Sequence, residues 1–547
     1  MPSKCATTTL TRTITLASGL FAPGHLGELT QQVPFELVDA ILDETLTTQR
    51  RLRQLPSRVG VYFLLALALF PTLGNARVWD KLTAGLHQLT PHRPSEKALR
   101  DLRRRLGPAP MKALFEVLAG SLAQPRTPGT CYRSWRTVAF DGCSSLKAPD
   151  QPRVRALLGK ARHRWGIAGY PALQLMALCE TGTRGLLGAV FGPTSTGEQA
   201  YALKLLPLLS PSMLLLADRG FDGQDFLGAV ADTGAKFLVR LRSLRCPAVL
   251  AVLPDGSYLT RLGQLKVRII EADITVTTRD GQRVGDRYRL ATTLLDHRSD
   301  PAEALVRLYH ERWEVESAFY ALRHTLLTRR VLRSCDPSGL EQELWALLSL
   351  YQILRRAMVE AIESAPGTDP DRASFTVALE AARDQVTTAR GVRPPVGDTT
   401  SRGAISDAVL AALLPPRRSR VSARKVKSPM TRYPGVPSDP RPATSRNITH
   451  LAIIVHQTAM PPAPTPRAPS RRALLLRLLR TDPYRTWQSR EIAQGISCSN
   501  IRSLWTQLND WTKEGILHKI ARNTYELAPE WIGMDAPADD LTGVSRA

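Results

Sequence analysis

Residues 213–221 read MLLLADRGF: five apolar residues from Met213 to Ala217, then Asp218, Arg219, Gly220 and Phe221. A continuous apolar run this short, closed by polar and turn-forming residues, is the pattern of a strand buried on both faces. Asp218 then falls at the carboxyl edge of that strand, where α/β sites form, and Gly220 permits a sharp turn. The arrangement recurs upstream, where Thr137 to Phe140 run into Asp141 and Gly142. Ala172–Leu178, Leu186–Phe191 and Phe237–Leu241 are further short strand candidates, with a helix candidate at Gly197–Leu206 between them. Residues 130–245 therefore carry α/β patterning. Taken alone, a strand-ending Asp is more often a helix cap than a catalytic group.

A third segment supplies a partner. Residues 302 to about 333 read as one helical segment holding Tyr309, Arg312, Glu316 and Arg323. At 100° per residue these four fall within an arc of about 60°, while Glu311 and Glu314 point elsewhere. An ordinary helix with an i,i+4 ion pair between Arg312 and Glu316 has the same spacing. With the two Asp residues, however, three carboxylates on convergent elements can hold two divalent cations about 3.5–4 Å apart, the geometry that serves phosphodiester chemistry. Mg2+ suits such oxygen ligands. Tyr309, Arg312 and Arg323 would hold backbone phosphates beside them.

The spacing from Tyr309 through Arg312 and Glu316 to Arg323 resembles the motif of the insertion element four family of DDE transposases. That family usually carries Tyr, Arg, Glu and Lys at these spacings. Asp141-Gly142 and Asp218-Arg219-Gly220-Phe221 resemble its first and second catalytic aspartates, and Phe21–Leu86 resembles its N-terminal helical domain. The likeness spans roughly residues 20–360. It implies a ribonuclease H-like catalytic core, metal ligation by Asp141, Asp218 and Glu316, and two Mg2+ ions with Mn2+ able to substitute. It further implies cut-and-paste movement of an insertion element, with hairpin formation at the excised ends, and a dimer during synapsis. One departure stands out: Arg323 replaces the usual Lys, a planar fork in place of a point charge. Two other readings stay open, a catalytically inactive relative that still binds DNA and a nuclease of the same fold that never joins ends.

The rest of the chain frames this core. With 547 residues, more than one domain is expected. The net charge of +24 favours a polyanionic partner, nucleic acid above all. The strongest apolar run, Val61–Phe70, is too short to span a membrane and reads as a buried core helix. Seven scattered cysteines form no C-x-x-C pair, which fits a reducing cytoplasm, and for such a partner a bacterial, nucleoid-associated location.

Residues 20–125 read as an N-terminal helical DNA-binding domain, with Arg100, Arg103 and Arg104 on a basic helix facing phosphates or solvent. Residues 130–410 read as the catalytic domain, with an all-β insertion at about 246–300 around the Asp280-Gly281 turn. Residues 411–470 read as a Pro-rich linker with a basic run from Arg417 to Arg432. Residues 471–530 show three helices and a hairpin, the order of a winged helix-turn-helix. Its third helix, with Ser499 as N-cap, would offer Asn500, Arg502, Ser503, Thr506 and Gln507 to DNA; a helical protein-interaction module is the competing reading.

Overall fold

The computed structural model describes residues 26–49, 55–84, 93–163, 166–278, 281–388, 403–416, 448–459, 470–498 and 500–532. The chain divides into two compact units, residues 1–459 and 460–547.

The first unit is built on a mixed sheet. Its strands are β1 (Trp135–Lys147), β2 (Ala172–Glu180), β3 (Leu186–Pro193), β4 (Met213–Ala217) and β5 (Lys236–Arg240). After these come β6 (Tyr258–Leu262), β7 (Leu265–Thr278), β8 (Arg283–Thr292) and β9 (Ile448–Val455). The order across the sheet is β3-β2-β1-β4-β5-β8-β7-β6. β1, β4 and β5 are parallel, while β2 and β3 run antiparallel on one flank. The three parallel strands are apolar on both faces because both faces are covered. Leu214 and Leu216 enter one core, and Leu215 and Ala217 the other.

Two expectations change here, and the β-rich stretch gains a place: β8 pairs antiparallel with β5, from Leu290 opposite Arg240 to Thr292 opposite Leu238, so it extends the same sheet. The segment 411–470 is not linker throughout, since β9 pairs along β7 with Ala272 opposite Val455. Ile448–Val455 is an apolar run that covers an otherwise open edge. The basic run from Arg417 to Arg432 lies outside the described residues.

Nor are the N-terminal helices a domain apart. The Ser57–Leu69 helix is buried on every side, as its apolar run predicts. It packs with the Ala109–Leu118 helix against Pro337–Glu363, a helix of 27 residues. Leu344, Leu348 and Tyr351 of that long helix share one core with Phe63, Leu65 and Phe115. Its start is fixed by Asp336, whose Oδ1 accepts the Gly339 N–H at 2.9 Å, and by Pro337 in the first turn. Among the described residues no helix is long and apolar enough to cross a membrane.

The second unit has helices Arg471–Leu479, Ser489–Gly495 and Ile501–Lys513, and strands β10 (Trp487–Gln488), β11 (Leu517–Ala521) and β12 (Thr524–Leu527). The strand order is β10-β12-β11. Ser499 lies outside the described residues; Asn500 caps the third helix, its Oδ1 accepting the Ser503 N–H at 3.1 Å.

Candidate active site

Strand parity decides where the two aspartates point. On β1, Ala139 and Cys143 enter the core that also holds Leu214 and Leu216 of β4. Side chains alternate along a strand, so Asp141 shares the face of Ala139 and Cys143, and Asp218 extends that of Leu214 and Leu216. The helix Glu314–Tyr320 packs on this same face through Val315, Ala318 and Phe319. Asp218 follows β4 directly, as expected. Asp141 does not end its strand: β1 continues to Lys147, supported by β2. Its parallel pairing with β4 stops at Ala139 opposite Leu216, so Asp141 still lies just past the last parallel rung.

Asp141 senses both of the other acids. Burial pushes the Asp141 carboxyl up to about 7; Glu316 and Asp218 add to the rise, while Arg312 and the Gly142 N–H, 2.8 Å away, oppose it. Arg312 sits among all three acids. Burial alone would lower its pKa, but Tyr309, Asp141, Asp218 and Glu316 together raise it. Its Nη2 lies 3.7 Å from Glu316 Oε1, and its guanidinium stacks 4.7 Å from the centre of the Trp313 ring. As placed, no three His, Cys, Asp or Glu side chains among the described residues are grouped closely enough to hold a metal ion. The acids converge on one edge with Arg312 as the resident cation between them. Their all-oxygen chemistry fits a hard divalent ion.

The helix that carries Glu316 is not continuous. Ala302–Tyr309 passes through a 3-10 turn at His310–Trp313 into Glu314–Tyr320, then into a π turn at Ala321–Leu326. The step is therefore not a uniform 100° along the segment, yet Tyr309, Arg312 and Glu316 still lie near one another and Arg323 reaches Ser145. Tyr309 and Arg312 are 2% and 3% exposed, so neither presents itself to a phosphate at the surface. The Tyr309 hydroxyl donates to Ala217 O at 3.1 Å, which ties this helix to the end of β4 one residue before Asp218. Arg323 does reach outward: it bonds Ser145 Oγ, four residues past Asp141, and its Nε donates to Phe319 O at 3.3 Å. Glu316 keeps 42% of its side chain exposed.

Two features had no local signal. Arg184, at φ 62° in the turn between β2 and β3, is buried between Glu314 and Asp371. It anchors the Glu316 helix from behind. Glu198 comes from the opposite layer, at the first turn of the helix Glu198–Leu203. Its Oε1 accepts from Gln174 Nε2 at 3.2 Å and lies 2.6 Å from where a Gly142 Cβ would stand; its Oε2 is 4.0 Å from the corresponding point at Gly220. Gly142 thus leaves room for a fourth carboxylate at the edge of the site.

The outlying DNA-contact candidates divide. Arg100 and Arg104 are exposed, but Arg103 turns inward: Nη2 bonds Ser334 Oγ at 2.8 Å, Nε bonds Gln342 Oε1 at 3.3 Å, and burial lowers its pKa. In the second unit Arg502 is exposed. Asn500 is the cap described above, and Gln507 Oε1 is held by Arg471 Nη1 at 3.3 Å.

Two family models match the chain. One, described as insertion element 4 transposase N-terminal, covers residues 23–116; the other, described as transposase DDE domain, covers residues 136–353. Together they span more than half of the chain. The transposase InsG for insertion sequence element IS4 of Escherichia coli (strain K12) is 26% identical over 412 residues, 74% of this chain and 92% of that protein. A putative transposase InsZ of the same organism is 28% identical over 134 residues, 24% of this chain and 44% of that protein. A cryo-EM structure of the piggyBac transposase synaptic complex with hairpin DNA aligns with a TM-score of 0.37 at 12% identity, covering 75% of this chain and 87% of that one. The chain belongs to the insertion element 4 family of DDE transposases.

Proposed function

We propose that this transposase cuts and rejoins double-stranded DNA at the ends of an insertion element, in cut-and-paste fashion, with Asp141, Asp218 and Glu316 as its catalytic carboxylates on a ribonuclease H-like core. The observation that carries the proposal is the convergence of the three carboxyls, electrostatically coupled around Arg312, at the carboxyl edge of the parallel strands. The β3-β2-β1-β4-β5 order, with β2 antiparallel to β1, supports the core assignment.

Asp141, Asp218 and Glu316 are the residues that would hold two Mg2+ ions, or Mn2+ in their place. Bound there, the ions would make the attacking oxygen nucleophilic and stabilise the leaving one. The chain itself does the positioning. Tyr309 locks the Glu316 helix to β4. Arg312 offsets the mutual repulsion of the acids. Arg323, beside Ser145 at the rim, holds the phosphate backbone through charge-assisted hydrogen bonds. Joining of two ends implies a dimer during synapsis, and the whole reaction fits a cytoplasmic protein working on the nucleoid.

The test is strand cleavage of element-end DNA with Mg2+. Asp141→Ala and Asp218→Ala should each abolish cleavage while duplex binding stays largely intact, because a metal ligand is removed and the phosphate contacts are not. Wild-type rates in either variant overturn that residue's assignment. Cleavage without joining of the freed 3′-OH to a target would instead identify a nuclease of the same fold.

A further inference from the structure

The second unit lies beyond both family-model matches, the later of which ends at residue 353. It carries its own core, made of Leu476, Leu479, Trp487, Ile492, Leu504 and Leu508 with their neighbours, all from within the unit. Its strand order β10-β12-β11 and its three helices place the helix Ile501–Lys513 directly before a two-stranded hairpin.

The charges of this unit fall into two groups. Arg471 is engaged by Ser503 and Gln507, Arg472 by Glu514, and Arg485 by Glu491. By contrast Arg502 on the third helix and Arg522 at the hairpin tip are exposed and make no ion pair among the described residues. Lys519 beside them on β11 is exposed as well, its ammonium 5.8 Å from the centre of the Tyr525 ring. The third helix buries Leu504, Leu508 and Trp511 and turns Arg502, Thr506 and Asn509 outward, a stripe at i, i+4 and i+7. Ile501 and Trp505, 39% and 40% exposed, flank the stripe. Donors, an amide and apolar groups on one helix face, next to a basic hairpin, match what a major groove presents: base-edge acceptors, thymine methyls and flanking phosphates.

We infer that residues 470–532 form a second duplex-DNA-binding surface, with the helix Ile501–Lys513 in the major groove and the β11–β12 hairpin on the adjoining backbone. Arg502, Thr506 and Asn509 face the bases, and Lys519 and Arg522 the phosphates. Asn500 and Gln507 take no part, since one caps the helix and the other is held by Arg471. This surface adds a grip on DNA that does not pass through the carboxylate site.

The experiment uses the full chain and a short duplex lacking element ends. Hydrogen exchange with and without the duplex should show slowed amide exchange across residues 501–513 and 517–527. The full-chain variant Arg502→Ala/Lys519→Ala/Arg522→Ala should lose that protection. Its slope of log affinity against log salt should fall by roughly 2, at about 0.9 for each of the two phosphate contacts removed. Melting of the unit, followed by tryptophan fluorescence, should be unchanged in that variant, since none of the three side chains belongs to the core. Asp141→Ala should keep the protection, so failure of the carboxylate assignment leaves this result standing. Duplex protection elsewhere but none in these segments overturns the inference, as does an unchanged salt slope. A change of oligomeric mass in Ile501→Ser/Ile520→Ser with DNA affinity intact also overturns it, in favour of a protein-docking face.

Discussion

Arg184→Met tests whether the active-site helix is held from behind by a buried ion network. Arg184, Glu314 and Asp371 have side chains only 4%, 5% and 3% exposed. Arg184 Nε donates to Glu314 Oε2 at 2.5 Å, and its Nη2 bonds Asp371. Its own carbonyl accepts the Tyr351 hydroxyl at 2.7 Å, and Tyr351 in turn accepts Arg355 Nε at 3.0 Å. Methionine keeps much of the volume but strands two carboxylates in the interior. Breaking a buried pair by removing one partner costs about 3–5 kcal/mol. For a unit of this size that corresponds to roughly 3–5 °C in melting temperature. Because Glu314 stands two residues before Glu316, cleavage should fall as well, even well below the melting point. The triple variant Arg184→Met/Glu314→Gln/Asp371→Asn should regain most of the loss, since a neutral replacement of a whole buried network is often nearly neutral. The deficit of the single variant should also shrink at acid pH, where the stranded carboxylates take up protons. The assay is thermal melting at neutral and acid pH, paired with Mg2+-dependent strand cleavage. If Arg184→Met melts within about 1 °C of the wild type, the network does not hold the helix and the reasoning fails.

Three further outcomes follow from the same geometry. Arg323→Lys should retain strand transfer and Arg323→Ala lose roughly tenfold to a hundredfold, the worth of a charge-assisted hydrogen bond; Arg330→Ala is the control, and an equal drop there would mean that only general basic charge matters. Gly142→Ala should cost about 1–3 kcal/mol in stability and most of the cleavage activity, because the new methyl meets Gln174 and the Glu198 carboxylate; unchanged melting and activity would show that the site accommodates it. Burial, aided by Arg307, lowers the His310 pKa from 6.5 to about 4, so the unfolded chain binds the extra proton between those values and stability should fall by about 3 kcal/mol as pH drops through that window. His310→Phe should flatten that acid limb in melts taken across the range, and an unaltered limb would assign the acid sensitivity to other groups.

What the sequence shows and what it hides follow from how local each cause is. MLLLADRGF and the run into Asp141 were legible because a parallel strand covered on both faces must be apolar throughout, and its polar end then marks the edge of the sheet. The Tyr309–Arg323 spacing was legible as a helix, yet its roles were not. A 3-10 turn and a π turn interrupt it, and the Tyr309 hydroxyl is taken up by Ala217 O, 92 positions away in the chain. Arg184 and Glu198 are in the same position: each is one charged residue near a turn until the sheet brings it against Glu314 or Gly142. The strand Ile448–Val455 did carry a signal, an apolar run with β-branched residues, but Pro-rich flanks outweighed it, and its partner is β7, about 180 residues earlier. The N-terminal helices were read as a separate domain because a helical stretch gives no sign of what covers it. The clue lay elsewhere, in Pro337–Glu363: its middle stretch Leu344–Leu354 is buried without a break and nearly all apolar, so it must be enclosed on every side. Helices that follow it in the chain cover only part of its surface, so Ser57–Leu69 and Ala109–Leu118 must close the rest. A charge buried in that shared face, as in Leu348→Glu, should therefore unfold the N-terminal helices and the catalytic sheet in one transition; two separate transitions would restore the reading of independent domains.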